Sequence, residues 1–355
     1  MIIAAGGTAG HVKPALAIAD ALRADGAVVS FIGTGRGSGA GLVAAAGIEE
    51  DVIPMSGLER RLTLRNLRTV ALTVLAVPRA IRAIRRRDAQ VVIGGGGYVA
   101  GPGALAAWLL RVPVLLTEAD SHLGMANRLA APLARRVALA FPIPGRSGPK
   151  YIVTGRPVGP DVRGATREAG RAALGIPADA RCVLVAGGSQ GARTINQAVA
   201  AAYGDGPQFE LIHLAGAGQV DEVRALLRDR RPGPRYRLLG YLDDFHSAVA
   251  AADLVISRAG GSIFELAAIG RPAILVPYPY ATADHQTKNA RWLVDAGAAV
   301  LVPDGECTAE GLRALVSELL SDQGRLDAMA AAARTVARPD AADVIAAAAR
   351  ELAAG

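Results

Sequence analysis

Short apolar runs alternate with helix-length amphipathic segments along almost the whole chain of 355 residues. Each run is a continuous stretch of aliphatic residues, which is typical of a strand buried on both faces of a sheet. The predicted strands are residues 1–5, 27–33, 50–54, 90–94, 112–117, 136–139, 181–186, 209–214, 235–239, 253–256, 272–276 and 298–301. Predicted helices between them include 13–24, 38–46, 122–134, 191–202, 218–230 and 308–320. This alternation predicts an α/β fold with parallel sheets covered by helices.

The two halves of the chain begin with similar segments. Residues 2–11 read IIAAGGTAGH and residues 183–192 read VLVAGGSQGA. In each, an apolar strand is followed by a Gly-Gly pair, a small polar residue and the start of a helix. We therefore predict two doubly wound, Rossmann-like domains that face one another.

A chain of this length is long for one hydrophobic core, which also favours two domains. The join is expected within 152–166, which is rich in Gly and Pro. A final helix, with Asp340 available as its N-cap, is expected to pack back on the first domain. The predicted boundaries are 1–155 for the N-terminal domain, 156–336 for the C-terminal domain and 337–355 for the final helix.

Three features of the sequence point to the cytoplasm. The two cysteines, Cys182 and Cys307, form neither a disulfide framework nor a metal-binding spacing, as expected in a reducing compartment. No charged and apolar leader is recognised before the first predicted strand. The longest apolar stretch, residues 98–117, is interrupted by Gly, Pro and Arg, so it is interpreted as a helix followed by a buried strand rather than a membrane span.

The glycine-rich loops do not fit the common nucleotide-binding motifs. The loop GGTAGH (6–11) lacks the G-x-G-x-x-G spacing, and the following predicted strand ends in FIGTGRG (31–37) without the acidic residue that a dinucleotide ribose needs. No G-x-x-x-x-G-K-[ST] sequence occurs, and no D-x-D sequence offers ligands for a metal-held sugar nucleotide. NAD, FAD and a metal cofactor are therefore not expected.

His11 follows the first glycine-rich loop. Small residues bring backbone N–H groups and a helix start close to a polar or anionic ligand. A histidine at that edge of the sheet can act as a general base towards a hydroxyl group. The alternative is a histidine that only caps or packs the start of the helix.

The second glycine-rich loop, GGSQGARTIN (187–196), repeats this arrangement. Ser189 and the following amides can hold a phosphate or sugar oxygen, and Asn196 lies one to two turns into the predicted helix. The alternative interpretation is a tight turn between a strand and a helix.

Residues 257–279 carry a third loop, in which Arg258 ends a strand and a Gly-Gly turn precedes a helix with Glu265 in its second turn. A glutamate there can accept hydrogen bonds from both ribose hydroxyls, or it can simply compensate the helix dipole. Gln286 and Asn289, in DHQTKNA (284–290), offer neutral groups suited to a sugar.

Taken in order, GGTAGH, GGGGYVAGPG, GGSQGARTIN, R-A-G-G-S-x-x-x-E and DHQ-x-x-NA closely resemble the MurG family of glycosyltransferases over nearly the entire chain. The resemblance implies a GT-B fold, two Rossmann-like domains with a cleft between them. It also implies inverting transfer of N-acetylglucosamine from UDP-GlcNAc to the 4-hydroxyl of MurNAc in undecaprenyl-pyrophosphoryl-MurNAc-pentapeptide (lipid I), which gives lipid II. No cofactor is implied.

The motifs and the resemblance together assign His11 as the catalytic base. The donor-binding positions are Ser189, Asn196, Leu242, Arg258, Gly261, Ser262, Ile263, Glu265, Gln286 and Asn289. The acceptor-binding positions are Thr8, Ala9, Gly10, Tyr98, Asp120 and Asn127. Within the donor set, the resemblance implies that Leu242 contacts uracil, Gly261–Ile263 the diphosphate, Glu265 the ribose, and the two amides of 284–290 the sugar.

Several residues depart from the family pattern. They are Ala9 for Gly in GGTGGH, Thr117, Ala119 and Asp120 for His, Gln and Asn in H-E-Q-N, and Arg156 and Gly159 for Asn and Arg in G-N-P-V-R. An amide that becomes a carboxylate and a lost cation both bear on an anionic acceptor. Two alternatives therefore stay open: a glycosyltransferase with another lipid acceptor such as diacylglycerol, and a UDP-sugar-binding protein without transferase activity. A UDP-sugar epimerase is a further alternative, but no paired carboxylate motif supports it.

Residues 58–87 concentrate positive charge, with nine arginines and the single acid Glu59. Apolar residues recur at helical spacing, at Leu64, Leu67, Ala71, Val74 and Leu75. Such a segment suits peripheral contact with anionic lipid headgroups, on the inner face of the cell membrane for a cytoplasmic enzyme. The alternative is a core-facing helix with a solvated arginine face. A nucleic acid is the weaker interpretation of the net charge of +7, because no aromatic residues interleave with the arginines.

Overall fold

The computed structural model describes residues 1–37, 39, 41–55 and 64–355. The chain divides into two compact units, of which the first comprises Met1–Gly159 with Arg338–Gly355 and the second Pro160–Ala337. The division after Gly159 lies slightly later than the predicted boundary after residue 155. The C-terminal segment belongs to the first unit.

Among the described residues of the first unit, seven parallel strands form one sheet in the order β3-β2-β1-β4-β5-β6-β7. The strands are β1 (Ile2–Ala4), β2 (Ser30–Gly33), β3 (Glu50–Val52), β4 (Val92–Gly94), β5 (Val114–Glu118), β6 (Arg136–Leu139) and β7 (Tyr151–Val153). The helices are α1 (Ala9–Ala24), α2 (Leu42–Ala45), α3 (Leu64–Arg86), α4 (Ala100–Leu109) and α5 (Met125–Ala130).

The second unit contains a six-stranded parallel sheet in the order β10-β9-β8-β11-β12-β13. Its strands are β8 (Cys182–Ala186), β9 (Glu210–Leu214), β10 (Tyr236–Leu239), β11 (Leu254–Ser257), β12 (Ala273–Leu275) and β13 (Ala299–Leu301). Its helices are α6 (Pro160–Arg163), α7 (Arg167–Leu174), α8 (Arg193–Tyr203), α9 (Val220–Leu226), α10 (Phe245–Ala251), α11 (Ile263–Ile269), α12 (His285–Asp295), α13 (Ala309–Ser321) and α14 (Gln323–Val336). The last helix of the chain, α15 (Ala341–Ala354), lies in the first unit.

Alternation along β1 shows why its sheet needs helices on both faces. Ile2 belongs to the apolar cluster that includes Ala104 of α4. Ile3 belongs to the opposite cluster, with Ile18 of α1 and Ile345 of α15. Helix α15 therefore packs beside α1 and completes one covering layer of the first sheet.

The order of the strands fixes where ligands can bind. Each sheet grows outward from a central strand in one direction and then in the other, so the order reverses between β1 and β4 and between β8 and β11. In open parallel sheets, ligands bind at the carboxyl ends of the strands beside such a reversal. The glycine-rich loops after β1, β4, β8 and β11 are therefore the candidate binding loops.

The predicted strands are confirmed, most of them with slightly trimmed ends, and β7 was not predicted. It is a three-residue edge strand with partly exposed side chains, and it follows a Gly- and Pro-rich stretch that looks like a loop. Helix α1 begins at Ala9 rather than at residue 13, so His11 lies in its first turn. Asp340 occupies the N-cap position of α15, but its side chain makes no capping hydrogen bond. Of the predicted helix 38–46, residues 38 and 40 lie outside the described residues.

The predicted basic segment is described only in part, because residues 58–63 and the side chains of Leu64, Leu67, Ala71 and Val74 lie outside the description. One side of α3 is core, formed by Ala76, Ala80, Ala83 and Ile84. Among its described side chains, the exposed ones are Leu75, Pro78, Arg79, Arg82, Arg85 and Arg86. Two arginines at the end of the segment form ion pairs within the fold: Arg86 with Asp51, and Arg87 with Asp51 and Glu49. No helix in the described part of the chain is long and apolar enough to cross a bilayer.

Candidate active site

His11 lies in the first turn of α1, beside the loop that follows β4. The Oγ1 atom of Thr8 lies 2.9 Å from its Nδ1 atom. Gly96 leaves the room that the imidazole occupies, since a Cβ atom there would lie 2.7 Å from Cδ2 of His11, and its φ of +92° also favours glycine. The loops after β1 and β4 thus fix the ring from both sides.

The surroundings of His11 favour its neutral form. Burial lowers its pKa, the positive charge of Arg156 lowers it further, and the negative charge of Asp120 opposes both. A pocket beside the ring is lined by residues of the first unit, including Gly10 of α1, Thr117 and Glu118 of β5, and Arg156. A neutral imidazole at the wall of a pocket can accept a proton from a bound hydroxyl group.

The position of Arg156 beside His11 is linked to Pro14 of α1. Pro14 lies inside α1 and has no N–H group, so the carbonyl of Gly10 lacks the helical hydrogen bond that residue 14 would otherwise donate. A guanidinium N–H of Arg156 donates to that carbonyl instead. This contact brings a cation to the turn that carries His11.

The loop after β5 is organised by Glu118, a buried residue that was not among the predicted site residues. Its carboxylate accepts hydrogen bonds from the backbone N–H groups of Ala119 (2.9 Å), Asp120 (3.1 Å) and Gly124 (2.8 Å) and from Nδ2 of Asn127 (3.0 Å). Burial nevertheless raises the pKa of Glu118 above its usual value. Glu118 matches the E of the H-E-Q-N pattern that the sequence resembles, and this match could have marked it as a site residue.

The predicted acceptor-binding residues of the first unit largely come together. Thr8 contacts His11, and the ring of Tyr98 lies against the turn at Gly7, where an added Cβ atom would come within 3.1 Å of it. Asp120 is close enough to affect the pKa of His11. Asn127 differs, because it is 5% exposed and its Nδ2 donates to Thr117 O and Glu118. The side chain of Asn127 thus stabilises the loop after β5 through these two hydrogen bonds.

In the second unit, the predicted donor-binding residues follow the carboxyl ends of β8, β10, β11 and β12. Ser189 is exposed in the loop after β8, and Leu242 follows β10. Glu265 lies in the first turn of α11 rather than in the predicted second turn. Oε1 of Gln286 accepts a hydrogen bond from the backbone N–H of Tyr278 (2.9 Å), which leaves the amide nitrogen as the donor towards a ligand.

Two predicted donor-binding side chains, those of Arg258 and Asn196, are engaged within the protein, and a third, that of Asn289, is only partly so. Nη1 of the buried Arg258 donates to Val276 O and Pro277 O and forms an ion pair with Asp304. The amide of Asn196, 2% exposed, is fully used by protein groups. Asn289, 1% exposed, approaches the carbonyl of Ala259 with Nδ2 at 3.4 Å, and its Oδ1 atom is buried without a hydrogen-bond partner among the described residues. Arg258 and Asn196 thus hold the loops at the binding edge, and donor binding by the three residues stays a prediction.

No three His, Cys, Asp or Glu side chains of the described ranges are grouped so that they could hold a metal ion.

The domains of a known family match both units. The glycosyltransferase family 28 N-terminal domain matches residues 1–139, and the family 28 C-terminal domain matches residues 182–345. The chain belongs to glycosyltransferase family 28. It is therefore an enzyme, and family membership favours a transferase over the epimerase and the binding protein that the sequence left open.

Full-length relatives within the family narrow this further. A protein of Nitrosococcus oceani is 42% identical, covering 100% of this chain and 99% of the relative. A protein of Desulforudis audaxviator is 40% identical, and the match covers 97% of this chain and 96% of the relative. Each is named UDP-N-acetylglucosamine--N-acetylmuramyl-(pentapeptide) pyrophosphoryl-undecaprenol N-acetylglucosamine transferase. The predicted resemblance to the MurG family is confirmed.

Solved structures agree with the fold. The crystal structure of MurG from Acinetobacter baumannii is 32% identical, covers 99% of both chains and superposes with a TM-score of 0.77. A UDP-GlcNAc 2-epimerase from Neisseria meningitidis, at 14% identity and a TM-score of 0.69, shares the fold alone. The predicted GT-B fold class is confirmed.

Proposed function

We propose that His11 is the general base of this glycosyltransferase, which transfers N-acetylglucosamine from UDP-GlcNAc to the 4-hydroxyl of MurNAc in lipid I. The names of the full-length relatives supply the donor and the acceptor. The observation that carries the proposal is the contact between Thr8 Oγ1 and His11 Nδ1 at the wall of the pocket.

That contact supports one assignment of the ring. When Nδ1 carries the proton and donates to Oγ1 of Thr8, the lone pair lies on Nε2, which is the atom left to meet a substrate hydroxyl. The same hydrogen bond holds the imidazole in one orientation. Because burial and Arg156 lower the pKa of His11, the base is neutral near pH 7.

The reaction then balances as one displacement. Nε2 of His11 takes the proton of the acceptor 4-hydroxyl while its oxygen forms a bond to the anomeric carbon of N-acetylglucosamine. The bond from that carbon to the diphosphate oxygen breaks on the opposite face, so the configuration inverts and UDP leaves with the electron pair. The proton ends on His11 and returns to solvent.

For the donor, the loops of the second unit supply the groups that a nucleotide sugar needs. Backbone N–H groups at 187–191 and 260–263 would stabilise the charge that develops on the diphosphate, in place of a metal ion. Glu265 would accept hydrogen bonds from the ribose hydroxyls. The amide nitrogen of Gln286, oriented by Tyr278, would donate to the sugar.

For the acceptor, an apolar and basic surface of the first unit would contact an anionic membrane. Helix α4 packs against both α3 and α5. These three helices expose large apolar side chains, namely Leu75, Leu105, Trp108, Leu109, Met125 and Leu129. The exposed arginines of α3 lie close by in the chain. Insertion of apolar side chains together with attraction to anionic headgroups is the usual basis of peripheral binding.

Transfer from radiolabelled UDP-GlcNAc to a short-chain lipid I analogue tests the proposal, with and without EDTA. The expected result is product in both conditions, and loss of about 10²–10⁴-fold in turnover for His11→Ala with UDP binding retained. His246→Ala, which alters a histidine of α10, is the matched control and should transfer normally. Product on diacylglycerol but not on the lipid I analogue would overturn the assignment of lipid I as the acceptor. Turnover by His11→Ala close to that of wild type would overturn the base.

A further inference from the structure

A chain of polar side chains runs through the core of the second unit without being required by the proposed reaction. It links Tyr236 at the start of β10, His213 in β9 and Asn196 in α8, which are 7%, 0% and 2% exposed. Nδ1 of His213 lies 2.7 Å from the hydroxyl of Tyr236, and Nε2 lies 3.0 Å from Oδ1 of Asn196. Apolar side chains usually fill such positions, so three linked polar groups need a reason.

The direction of every hydrogen bond in this chain follows from its neighbours. Nδ2 of Asn196 donates to the carbonyl of Ala215 (2.9 Å), which can only accept, so Oδ1 of Asn196 is an acceptor. Nε2 of His213 must then carry a proton. Burial lowers the pKa of His213 to about 4, so the ring is neutral and Nδ1 accepts from the hydroxyl of Tyr236. All donors therefore point the same way.

The chain of hydrogen-bonded side chains continues to the surface of the second unit. Nδ2 of Asn196 also donates to Oε1 of Gln219 (3.0 Å), and Nε2 of Gln219 donates to the carbonyl of Gln190 (2.9 Å). Gln190 is the neighbour of Ser189 in the loop 187–191. The polar chain thus connects the core strands β9 and β10 to the loop that would hold the donor diphosphate.

The two loops that meet there have no free space. Gly191 has a φ of +78°, and a Cβ atom on it would lie 2.2 Å from the oxygen of Ala215. A Cβ atom on Gly216 would lie 2.4 Å from the backbone nitrogen of Gly191. The loop 187–191 is therefore in direct contact with residues 215–219. A substitution of Gln219 is expected to alter the conformation of this loop.

We propose that Tyr236, His213, Asn196 and Gln219 form a positioning network that holds the loop 187–191 in the conformation that binds the donor diphosphate. The network reaches the loop at the carbonyl of Gln190, which accepts from Gln219, and at Ala215, whose carbonyl accepts from Asn196 and lies against Gly191. This inference rests on the proposed donor site. It assigns to Asn196 an indirect role in donor binding, and it gives the buried histidine a function.

Gln219→Met tests the last link, because methionine has a similar length and cannot bond to Gln190 or Asn196. We expect the KM for UDP-GlcNAc and the Kd for UDP to rise by about 3- to 10-fold, the effect of one hydrogen bond, with kcat and the KM for the lipid acceptor unchanged. Gln208→Met, the same change in an exposed residue before β9, should leave all four constants at their wild-type values.

Tyr236→Phe tests the far end of the network, which has no contact with the loop. It should raise the same two constants by a smaller factor. In the double variant with Gln219→Met, the rise should be smaller than the product of the two single effects, since both changes act on the same loop through one network. Additive effects in the double variant would overturn transmission through the network.

UDP binding separates this inference from the proposed function. Unchanged UDP affinity in Gln219→Met, in a preparation whose wild type transfers the sugar, would overturn the network and leave the proposed function intact. A wild type that binds UDP but makes no product would contradict the proposed function, and the affinity of the variant for UDP would still decide for or against the network.

Discussion

The Oγ1 atom of Thr8 and the Nδ1 atom of His11 lie 2.9 Å apart, three residues from one another across the start of α1. Thr8 occupies the N-cap position of this helix, yet its side chain makes no capping hydrogen bond to the backbone. The hydroxyl is therefore used to orient the imidazole rather than to cap the helix. A capping bond is typically worth about 1 kcal/mol to a helix, so this arrangement gives up stability for the position of one ring.

Removal of the Thr8 hydroxyl tests this orientation. Thr8→Val keeps the shape of the side chain and loses the hydrogen bond, so we expect kcat to fall by about 3- to 10-fold, far less than for His11→Ala. Thr8→Ser keeps the hydroxyl and should retain most of the activity. The measurement is kcat with the short-chain lipid I analogue at saturating donor. Equal activity in Thr8→Val and wild type would show that His11 is oriented by other groups.

Two charged neighbours of His11 should move the pH profile in opposite directions. The base works only when neutral, so the rate falls as the pH drops through its pKa. Arg156 lowers this pKa, so Arg156→Gln should raise it and move the acid limb of kcat/KM to higher pH. Asp120 raises it, so Asp120→Asn should move the acid limb to lower pH.

Profiles of kcat/KM recorded from about pH 8 downwards check this pair, because an unperturbed histidine changes charge between about pH 5 and 8 and the pKa of His11 is lowered from its ordinary value. Gln can still donate a hydrogen bond to the carbonyl of Gly10, which keeps the turn in place in the Arg156 variant. A shift of both variants in the same direction would contradict the electrostatic explanation. Arg156 and Asp120 are departures from the family pattern, so the pH profile of this enzyme is expected to depend on residues outside that pattern.

The sequence predicts which loops matter better than it predicts which atoms face a ligand. Hydrophobic periodicity places the strands, and the reversal of strand order then brings the glycine-rich loops to the binding edges. Asn196 and Arg258 were placed correctly at those edges. Their partners, such as Ala215 and Asp304, come from distant segments, so no local pattern shows that these side chains are already used. The bond from Arg156 to Gly10 spans 146 positions and was equally hidden.

Acid should destabilise the second unit through His213. Its pKa is about 4 in the fold and about 6.5 when unfolded, so the unfolded chain binds the proton more readily. The stability that the neutral ring provides is therefore full above pH 6.5 and is lost as the pH falls from there towards 4. Between pH 7.5 and pH 5 the loss should be about 2 kcal/mol.

Urea unfolding at these two pH values measures the loss. Trp292, which packs against Phe264, reports on the second unit by fluorescence when Trp108 is changed to Phe. In that background, His213→Gln should reduce the difference between the two pH values by about 2 kcal/mol, because glutamine does not titrate. His246→Gln should not reduce it. An unaltered difference in His213→Gln would mean that other groups cause the acid sensitivity.

The apolar surface of the first unit should bind anionic vesicles. Trp108 and Leu109 are each 52% exposed at the end of α4, so Trp108→Gln and Leu109→Gln should weaken sedimentation with vesicles that contain anionic lipid. Each buried apolar side chain contributes about 1.5–3 kcal/mol, which corresponds to a loss of about tenfold or more in the partition coefficient. Leu226→Gln alters a residue of the second unit that is 43% exposed, and it should have no effect.

Salt separates the two contributions to this binding. Attraction between the arginines of α3 and the headgroups is screened over about 8 Å at physiological ionic strength, whereas burial of apolar side chains is not weakened by salt. Wild-type binding should therefore fall with added NaCl to a residual level, and Trp108→Gln should lower that residual level. Equal binding to anionic and zwitterionic vesicles at low salt would contradict the role of the arginines. Loss of binding in Leu226→Gln as well would contradict the assignment of the surface to α3, α4 and α5.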